Sequence, residues 1–488
     1  MKYSNYKVWL VFILIFALAL RMIFFTGADN SDSLVYYTYA NNVINGNFKL
    51  EPNHFSSRIG LIYPQAAVYM LFGVNEFTSN ILSLIYSLAG IILIFYLGRH
   101  LFDEKTGLMA AFLLSFFPLD VIFSTRLLPD FPSAFFMALS VFLFLKAEQK
   151  KLKSYYLASG LSWGIAYLIK EIAILMVLFF IFYAIYKKNF SKNYSWIILG
   201  FLPFLLIEFW HSYAFTQNPF YRHAQIQSEE VNYVINTYSN YFTTYGMLSR
   251  LFLHWPFIML HDVHYGLFFI FILIALYYYI TNRKEGTNIL LIWIIPLFLY
   301  LNFGAIRLIR YVPIPVTAKF MSILQFPAIL VLANYLSRKD KEIKTIIMPA
   351  VLVLLLFSSI GFIYMSNDRH AIMEIKEIRI FALRQDREIY TDERTKAVID
   401  YLGGFSMNNV KSFNKYTFVG SSENKNDILN LKVLHNVYVM INNGMINGLR
   451  DVYKDIKFPD EVDNIPQNWV KAAEVGQGDK KISVYYLP

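Results

Sequence analysis

Cysteine is missing altogether from the 488-residue sequence. Disulfide bonds, thiolate metal sites and cysteine nucleophiles are therefore excluded, although the cellular compartment stays undetermined on this ground. The sequence also lacks internal repeats and low-complexity tracts. No small-residue cleavage site follows the first apolar stretch, so we predict that residues 8–25 are retained as a membrane helix.

Apolar residues are what the sequence has in excess. They make up 56% of the chain, against about 45–50% in a typical soluble domain, and the mean hydropathy is +0.42. Nearly all of the excess precedes residue 366, in runs of about 17–25 apolar residues, the length of a membrane-spanning helix. We predict eleven spans, at about 8–25, 78–98, 107–123, 131–146, 155–168, 171–186, 194–212, 264–281, 288–304, 320–337 and 344–364.

The fifth and sixth predicted spans have a second interpretation. Residues 155–186 fit either one long helix or two short ones that turn at Lys170 and Glu171. We predict two helices, because a single span would place every later loop on the opposite side of the membrane.

The positive charge of the chain lies in the same part as the apolar runs. The net charge is +10, from 44 Lys and Arg against 34 Asp and Glu, while residues 366–488 carry 17 of each sign. In a membrane protein this surplus indicates the positive-inside bias, so we predict no nucleic-acid partner. With the N-terminus in the cytoplasm, the cytoplasmic loops hold 17 bases and 6 acids. We therefore predict a multi-pass plasma-membrane protein whose C-terminus is outside.

Two predicted outer loops, 26–77 and 213–263, are much longer than ordinary connections, which favours a functional role. Residues 366–488 read as a soluble outer domain with short strands at REIYT, HNVYVMI and KKISVYYL and a helix at DERTKAVIDYL. The predicted fold class is an all-α polytopic membrane domain, 1–365, followed by a small α/β extracytoplasmic domain, 366–488.

The predicted outer face combines a few carboxylates with many basic groups. An arginine fork can grip phosphate with two hydrogen bonds, and a carboxylate can serve as a general base. Together they fit transfer of a group from a phosphate leaving group to a hydroxyl or amine. The carboxylate candidates are Asp29, Asp32, Asp130, Glu171 and Glu208, and the basic candidates are Arg58, Arg126, Lys170, Arg222, Arg307, Arg310 and Lys319.

Several of these residues also have a purely structural interpretation. Asp29 or Asp32 could cap the predicted helix DSLVYYTYANN, and Arg58 could be an interfacial anchor. A charged pair such as Lys170 and Glu171 inside a hydrophobic hairpin is costly, which favours a function or a specific partner.

Local pairing is the structural alternative at two further places. Arg126 and Asp130 lie in one tight turn and could form a salt bridge, and Glu208 could bond to His211 one helical turn later. No cofactor is assigned; a divalent metal stays open as an alternative, without tight ligand spacing to support it, at His223, His261 and His264.

At this point the chain resembles a known group of enzymes over about residues 8–365. Asp32, Tyr36, Ala40 and Gly46 stand where the dolichyl-phosphate-mannose–protein mannosyltransferases and the related aminoarabinose transferases, which have the GT-C fold, carry the same residue types. Ser33 departs from the pattern, since those families have a glutamate after the aspartate. Further similar segments are RIGLIYPQAAVYMLFG, STRLLPDFPSAFFMALSVFLFLKA, GLSWGIAYLIKEIAIL and RYVPIPVTAKFMSILQFPAILVLA.

The resemblance implies a glycosyltransferase of the cell envelope with a polyprenyl- or dolichyl-phosphate sugar donor and a protein or glycolipid acceptor. It implies that Asp32 is the general base, with Asp29 as a substitute for the missing second carboxylate. Arg58 would hold the donor phosphate, aided by Arg222 or by one of Arg307, Arg310 and Lys319.

Two other functions compete with this prediction. A transporter or flippase would place its site near the midplane, often within inverted repeats, whereas the charges here gather at the outer helix ends. A membrane scaffold would not need Asp32, Arg58 and Lys170 together. The sequence identifies neither the sugar nor the acceptor.

Overall fold

A computed structural model describes residues 6–27, 32–255, 257, 262, 264–282, 285–307, 311–337, 348–366, 372–414, 428–452 and 456–488. The chain divides into two compact units. The first, here the membrane unit, consists of residues 1–26, 56–64 and 80–367. The second, here the C-terminal unit, consists of 27–55, 65–79 and 368–488. The predicted domains at 1–365 and 366–488 stay predictions, but contacts group much of the first long loop with the C-terminal residues.

The described part of the chain before residue 367 is mainly helical. In chain order its helices are α1 Tyr6–Ile23, α2 Asp32–Ile44, α3 Ile59–Phe72, α4 Glu76–Leu101, α5 Glu104–Ser115, α6 Pro118–Phe123, α7 Asp130–Lys150, α8 Lys153–Ile169, α9 Met176–Lys187, α10 Ser195–Thr216, α11 Tyr221–Gln225, α12 Val231–Thr237, α13 Thr244–Ser249, α14 Phe268–Thr281, α15 Glu285–Phe303, α16 Ser322–Leu336 and α17 Met348–Met365. A short antiparallel pair, β1 Ala305–Arg307 and β2 Val312–Pro313, follows α15.

Seven helical segments among the described residues are long and apolar enough to cross a membrane. They contain α1, α4, α7, α10, α15, α16 and α17. The other four predicted spans are also helical but shorter, because the chain breaks within or beside them. The predicted span 107–123, for example, is divided into α5 and α6 just before Pro118, since proline removes a helical hydrogen-bond donor and restricts the preceding residue.

The predicted break at Lys170 is confirmed. The backbone of Lys170 is extended, with φ −149° and ψ 129°, and it separates α8 from a short 3-10 helix, Glu171–Leu175, that leads into α9. Helix α8 runs in the same direction as α10, because Gly160 faces Gly200 and Gly164 faces Phe204. Only α9 connects them, so α9 must run back, as the two-span prediction requires.

Close packing of α8 on α10 depends on glycine. A Cβ atom added to Gly160 would lie 2.0 Å from the carbonyl oxygen of Ile197, and one added to Gly200 would lie 2.4 Å from that of Leu157. Small residues at such crossings let membrane helices approach closely. The contact holds the C-terminal end of α8, which Glu171 follows, close to the C-terminal half of α10, which carries Glu208.

A buried ion pair joins α1 to α6 inside the membrane unit. The Arg21 guanidinium lies 2.6 Å from Asp120 and also donates to Ser87 and to the carbonyl oxygens of Ala17 and Ser115. Ser87 donates in turn to Asp120. Because both charges are paired and hydrogen-bonded, the cost of removing them from water is offset.

The C-terminal unit contains a five-stranded mixed sheet in the order β4-β3-β5-β7-β6. Its strands are β3 Ile389–Thr391, β4 Val410–Ser412, β5 Val437–Asn442, β6 Val470–Val475 and β7 Ile482–Leu487, and its helices are α18 Met373–Leu383, α19 Glu393–Leu402, α20 Asn443–Val452 and α21 Asp460–Asp463. Strand β3 is parallel to β4 and β5, whereas β7 is antiparallel to β5 and β6. The three predicted strands and the predicted helix of this region are confirmed; β4, β6 and the other helices were not predicted.

Helix α2 belongs to this unit because it packs on α19. The rings of Tyr37 and Tyr401 stack with their centroids 4.8 Å apart, and both side chains are buried. The Tyr401 hydroxyl donates to Ser79 at 2.9 Å. One helix of the first long loop is thereby fixed to the C-terminal sheet domain.

The buried carboxyl group of Asp392 should make the stability of the folded protein depend on pH. One carboxylate oxygen caps α19 by accepting from the Thr395 amide at 2.9 Å, but Oδ2 accepts from no described residue. Burial raises the pKa of Asp392 to about 6 from 3.8. The folded state therefore favours the protonated form of Asp392. This preference adds to the free energy of unfolding below pH 4, and the added stability is lost as the pH rises through 6.

We therefore expect Asp392→Asn to stabilise the protein at pH 8 but not at pH 4. Asparagine still caps the helix and mimics the protonated acid, so the gain can approach, at most, about 3 kcal/mol. Thermal unfolding of the purified chain and the variant across this pH range measures it. Equal melting temperatures at pH 8 would contradict the assignment of a destabilising buried charge.

Candidate active site

Asp32 is the first residue of α2 and is partly exposed. A carboxylate in the first turn lies at the positive end of the helix dipole, which stabilises its charge. The next residue, Ser33, where the resembling families have glutamate, is fully buried. Asp29 lies outside the described residues. Asp32 belongs to the C-terminal unit, whereas the candidate phosphate ligands belong to the membrane unit.

Arg58 immediately precedes α3 and is buried beside the α8–α9 turn. Its guanidinium forms a two-pronged ion pair with Glu171, with Nη2 3.0 Å from Oε1 and Nε 3.4 Å from Oε2. This position depends on Gly60, where an added Cβ would lie 2.8 Å from the backbone of Leu168 and Ile169. The close approach of the first turn of α3 to the end of α8 thus brings Arg58 to Glu171.

Arg222 joins the same carboxylate from the second long loop. It is fully buried, with Nη2 3.1 Å from Glu171 and Nη1 3.2 Å from Glu208. Its guanidinium also lies over the ring of Tyr167, 5.2 Å from the centroid. Arg58, Glu171, Arg222 and Glu208 therefore form one continuous chain of alternating charges, here called the arginine–glutamate chain.

Lys170 provides a second buried pair beside this chain. Its ammonium lies 2.5 Å from Asp130, at the start of α7, and 4.3 Å from the centroid of the Phe320 ring. Asp130 is thus held by a residue 40 positions away. Lys170 is also near enough to Arg58 and Lys319 for their positive charges to act on it. The structure brings together Arg58, Asp130, Lys170, Glu171, Glu208 and Arg222 of the predicted site.

The carboxylates of the two predicted local pairs contact residues farther along the chain. Asp130 pairs with Lys170 rather than with Arg126 in the same turn. Glu208 bonds to Arg222, whereas the His211 ring bonds to the Tyr63 hydroxyl at 2.8 Å. Glu208 is also 3.9 Å from His223. Because Glu208 contacts both Arg222 and His223, it holds the Arg222 side chain in place.

The remaining predicted basic residues occupy other positions. Lys319 lies in a 3-10 turn before α16, and Arg307 is an exposed residue of β1. Arg126 is buried, with its guanidinium 5.5 Å from the Phe123 ring centroid. Arg310 falls outside the described residues. Their roles as phosphate ligands stay predictions.

The histidines do not assemble into a metal site within the described ranges, where no three His, Asp or Glu side chains come together. His264 bonds to Asp262 at 2.6 Å, and His261 lies outside the described residues. Burial by itself would raise the pKa of Asp262, but hydrogen bonds from the His264 ring and backbone amide outweigh burial and lower it.

Sequence reasoning missed two residues that organise this region. Tyr167 lies under Arg222 and bonds through its hydroxyl to His223 at 3.3 Å. Arg250 is buried and donates to the carbonyl oxygens of Leu301, Asn302 and Ile314, which ties the end of α15 to the segment that follows it. Tyr167 lies one helical turn before Lys170, and this spacing could have indicated that it belongs to the site. Nothing in the local sequence indicated the role of Arg250.

The chemistry available to this arrangement is anion binding by fixed guanidinium groups. Three basic and three acidic side chains balance within the cluster formed by the arginine–glutamate chain and the Lys170–Asp130 pair. The carboxylates hold Arg58 and Arg222 in place before any ligand arrives, which is how preorganised charge lowers a barrier.

Comparison with protein families gives one match over part of the chain. Residues 59–211 match the family described as dolichyl-phosphate-mannose-protein mannosyltransferase. This range includes Arg58's neighbour Gly60, the Lys170 turn and Glu208. No curated protein matches the sequence.

Comparison with solved structures shows the same fold throughout the chain. ArnT from Cupriavidus metallidurans superposes with a TM-score of 0.64 at 11% identity, covering 99% of this chain and 98% of ArnT. ArnT bound to undecaprenyl phosphate gives 0.61 at 12% identity, with 98% of each chain covered. The oligosaccharyltransferase AglB from Archaeoglobus fulgidus, in complex with an inhibitory peptide and a dolichol-phosphate, gives 0.57 at 13% identity, covering 99% of this chain and 74% of AglB. The archaeal enzyme has also been solved with Zn and sulfate.

Proposed function

We propose that the chain is a membrane glycosyltransferase that transfers a sugar from a polyprenyl- or dolichyl-phosphate donor to an acceptor outside the membrane. The family match over residues 59–211 and the fold shared with ArnT support this proposal. The observation that carries this proposal is the arginine–glutamate chain at the outer ends of α8 and α10. Undecaprenyl phosphate in ArnT and dolichol-phosphate in AglB support a lipid-phosphate donor. The flippase alternative gains no support from these neighbours.

Arg58 and Arg222 are the proposed ligands of the donor phosphate. Both are buried, where an electrostatic interaction is stronger than in water, and both are oriented by Glu171. Lys319 and Arg307 are proposed to add positive charge when the phosphate arrives, because the cluster is already neutral. The lipid tail of the donor would lie against the apolar helices of the membrane unit.

Asp32 is proposed to remove the proton from the acceptor hydroxyl or amine. The freed electron pair attacks the anomeric carbon, and the bond from that carbon to the phosphate oxygen breaks. The lipid phosphate leaves with the bonding pair, and the anomeric configuration inverts. The proposed phosphate ligands would stabilise the negative charge that develops on the leaving group, where one donor typically contributes about 2.7–4 kcal/mol.

In cells that lack this protein, the sugar donor should stay unused and the glycosylated product should be missing. We expect a deletion strain to accumulate an unused polyprenyl-phosphate sugar and to lose the matching sugar from one envelope glycan, glycolipid or protein. Mass spectrometry of both fractions measures this and identifies the sugar and the acceptor. A strain with unchanged glycans and lipids would contradict the proposal, and intact transfer with the donor trapped inside would favour a flippase.

The proposed orientation places the N-terminus in the cytoplasm and the C-terminal unit outside. We expect a C-terminal alkaline phosphatase fusion to be active and a C-terminal reporter that works only in the cytoplasm to be silent. A fusion after Lys188, at the end of α9, is the control and should give the reverse pattern. An active cytoplasmic reporter at the C-terminus would overturn this orientation.

The proposed transfer needs no divalent metal. Because no step above depends on it, we expect purified protein to retain transfer after dialysis against a chelator.

A further inference from the structure

A cleft of about 490 Å³ lies within the C-terminal unit. One wall is a single face of α2, on which Leu34, Thr38, Asn42 and Asn45 recur at helical spacing. The opposite wall is one face of α19, and a third wall comes from residues 51–53. The stacked pair Tyr37 and Tyr401 joins the helices on another face, so the cleft is held open by packing that does not use its own lining.

The asparagines on α2 are unexplained by the helix itself. The helix ends through its backbone: the Asn47 amide donates to the Asn42 carbonyl oxygen, and the Gly46 amide donates to that of Val43. Gly46 has the positive φ, +69°, that this ending requires. The side chains of Asn42 and Asn45 are therefore not needed as caps, and asparagine is a poor helix former.

These two amide groups make no hydrogen bond to any residue in the part of the chain that the structure describes. Each amide offers a carbonyl oxygen and two N–H donors to whatever enters the cleft. Asn42 is half-buried and Asn45 is exposed, so both amides are open to a ligand with many hydroxyl groups that displaces water from the cleft.

The third wall presents a fixed polar network. The Tyr39 hydroxyl donates to Glu51 at 2.7 Å, and the Asn53 amide donates to the Tyr39 oxygen at 2.7 Å and to Glu51 at 3.2 Å. Tyr39 and Asn53 are buried. A ring and a carboxylate held in this way are preorganised to meet a ligand without further loss of side-chain entropy.

The α19 wall sets the charge of the cleft. Glu393, Lys396 and Asp400 line it, and with Glu51 they give three acids against one base. A phosphate or another anion is disfavoured by this balance, and a lipid chain is disfavoured by the number of polar groups. Phe405, which also lines the cleft, adds an apolar ring.

We propose that this cleft binds carbohydrate, of the neutral or amino-sugar class. Amides and carboxylates match the vicinal hydroxyls of a sugar through paired hydrogen bonds, aromatic rings cover its C–H faces, and the acidic balance admits an amine. The cleft also begins at Leu34, two residues after Asp32, and continues along α2 to Asn45. At about 1.5 Å per residue, Asn42 lies about 15 Å from Asp32 along the helix axis.

This geometry makes the cleft a subsite for a glycan-bearing acceptor. The acceptor group would meet Asp32, and the sugars behind it would lie along α2. The acceptor assignment rests on the proposed function, whereas carbohydrate binding does not.

The test of binding uses the purified full chain in nanodiscs and the variant Asn42→Ala/Asn45→Ala. Saturation-transfer NMR titrations are run with mannobiose, cellobiose and glucosamine disaccharide, and with inorganic phosphate and an alanine-rich pentapeptide as other classes. We expect saturable binding of at least one disaccharide, weakened at least about tenfold in the variant. Alanine favours the helix and the Gly46 ending stays, so the variant should fold. The exposed Asn468 supplies the matched control, Asn468→Ala, which should bind normally.

Two results of the titration would overturn the proposal. One is the absence of saturable binding of every disaccharide up to about 50 mM. The other is binding of only the pentapeptide or phosphate that is lost in Asn42→Ala/Asn45→Ala, which would reassign the cleft.

Transfer assays then separate the two parts of the inference. With a verified donor and a glycan-bearing acceptor, we expect Asn42→Ala/Asn45→Ala to raise the acceptor KM at least about fivefold and to leave kcat and the donor KM unchanged. An unchanged acceptor KM would overturn the acceptor assignment and leave carbohydrate binding standing. A chain that binds sugar but transfers nothing would overturn the proposed function instead.

Discussion

Asp32→Asn is expected to lower sugar transfer by at least about a hundredfold, because a positioned base typically contributes about 10²–10⁴-fold. The variant keeps the shape of the side chain and one oxygen acceptor. It loses the favourable interaction of a charge with the first turn of α2, typically about 0.3–1 kcal/mol. Purified variant and wild type are compared in transfer rate, with circular dichroism and melting temperature as measures of folding.

The same comparison distinguishes a base from a helix cap. If Asp32 only stabilises the start of α2, the asparagine variant should be nearly silent in both folding and transfer. Asp29→Asn is the necessary control, since buried Ser33 replaces the second carboxylate and Asp29 could share the role. Wild-type transfer by Asp32→Asn with a verified donor and acceptor would end the general-base assignment.

Arg58→Ala is expected to reduce transfer by about 10²–10³-fold, the typical loss for one donor to a developing negative charge. The loss should appear with the donor, in its KM and in kcat, far more than in the acceptor KM. Arg58→Lys should restore only part of the rate, because an ammonium is a point charge without the planar fork. Steady-state kinetics with each substrate varied in turn measure the difference.

Glu171→Gln is the matched control for the arginine. It removes the carboxylate that pairs with both Arg58 and Arg222 but leaves both guanidinium groups present. If Arg58 serves the phosphate, donor affinity should be kept or should tighten in Glu171→Gln, at some loss of melting temperature. Equal loss of donor affinity in both variants would show that the ion pair is structural, and wild-type transfer by Arg58→Ala would remove Arg58 from the site.

The membrane helices could be predicted because apolar runs and charged loops are local signals. The turn at Lys170 was predictable for the same reason, since a charged pair interrupts the apolar run. The partners of the charged residues were not predictable. Asp130 pairs with Lys170 across 40 residues, and Glu208 pairs with Arg222 on another helix. Such pairs depend on how helices cross, and the glycines that set the α8–α10 crossing give no indication of which charges will meet.

The C-terminal sheet shows a similar limit. Strands β5 and β7 are buried and rich in β-branched and aromatic residues, and the pattern predicted both. Strand β6, Val470–Val475, lies at the edge of the sheet, is largely exposed and contains alanine, lysine and glutamate, so its sequence carries little strand signal. The grouping of α2 with α19 was missed because it depends on contacts between residues far apart in the sequence, such as the stacked pair Tyr37 and Tyr401.

The pair between Arg21 and Asp120 has a consequence for how the chain is made. The two residues are 99 positions apart, so at about 5–20 residues per second Asp120 leaves the ribosome roughly 5–20 seconds after Arg21. During that interval α1 carries an arginine in its last turn without the carboxylate that later neutralises it. The first helix therefore enters the bilayer in a provisional position, and its final docking must await synthesis of α6.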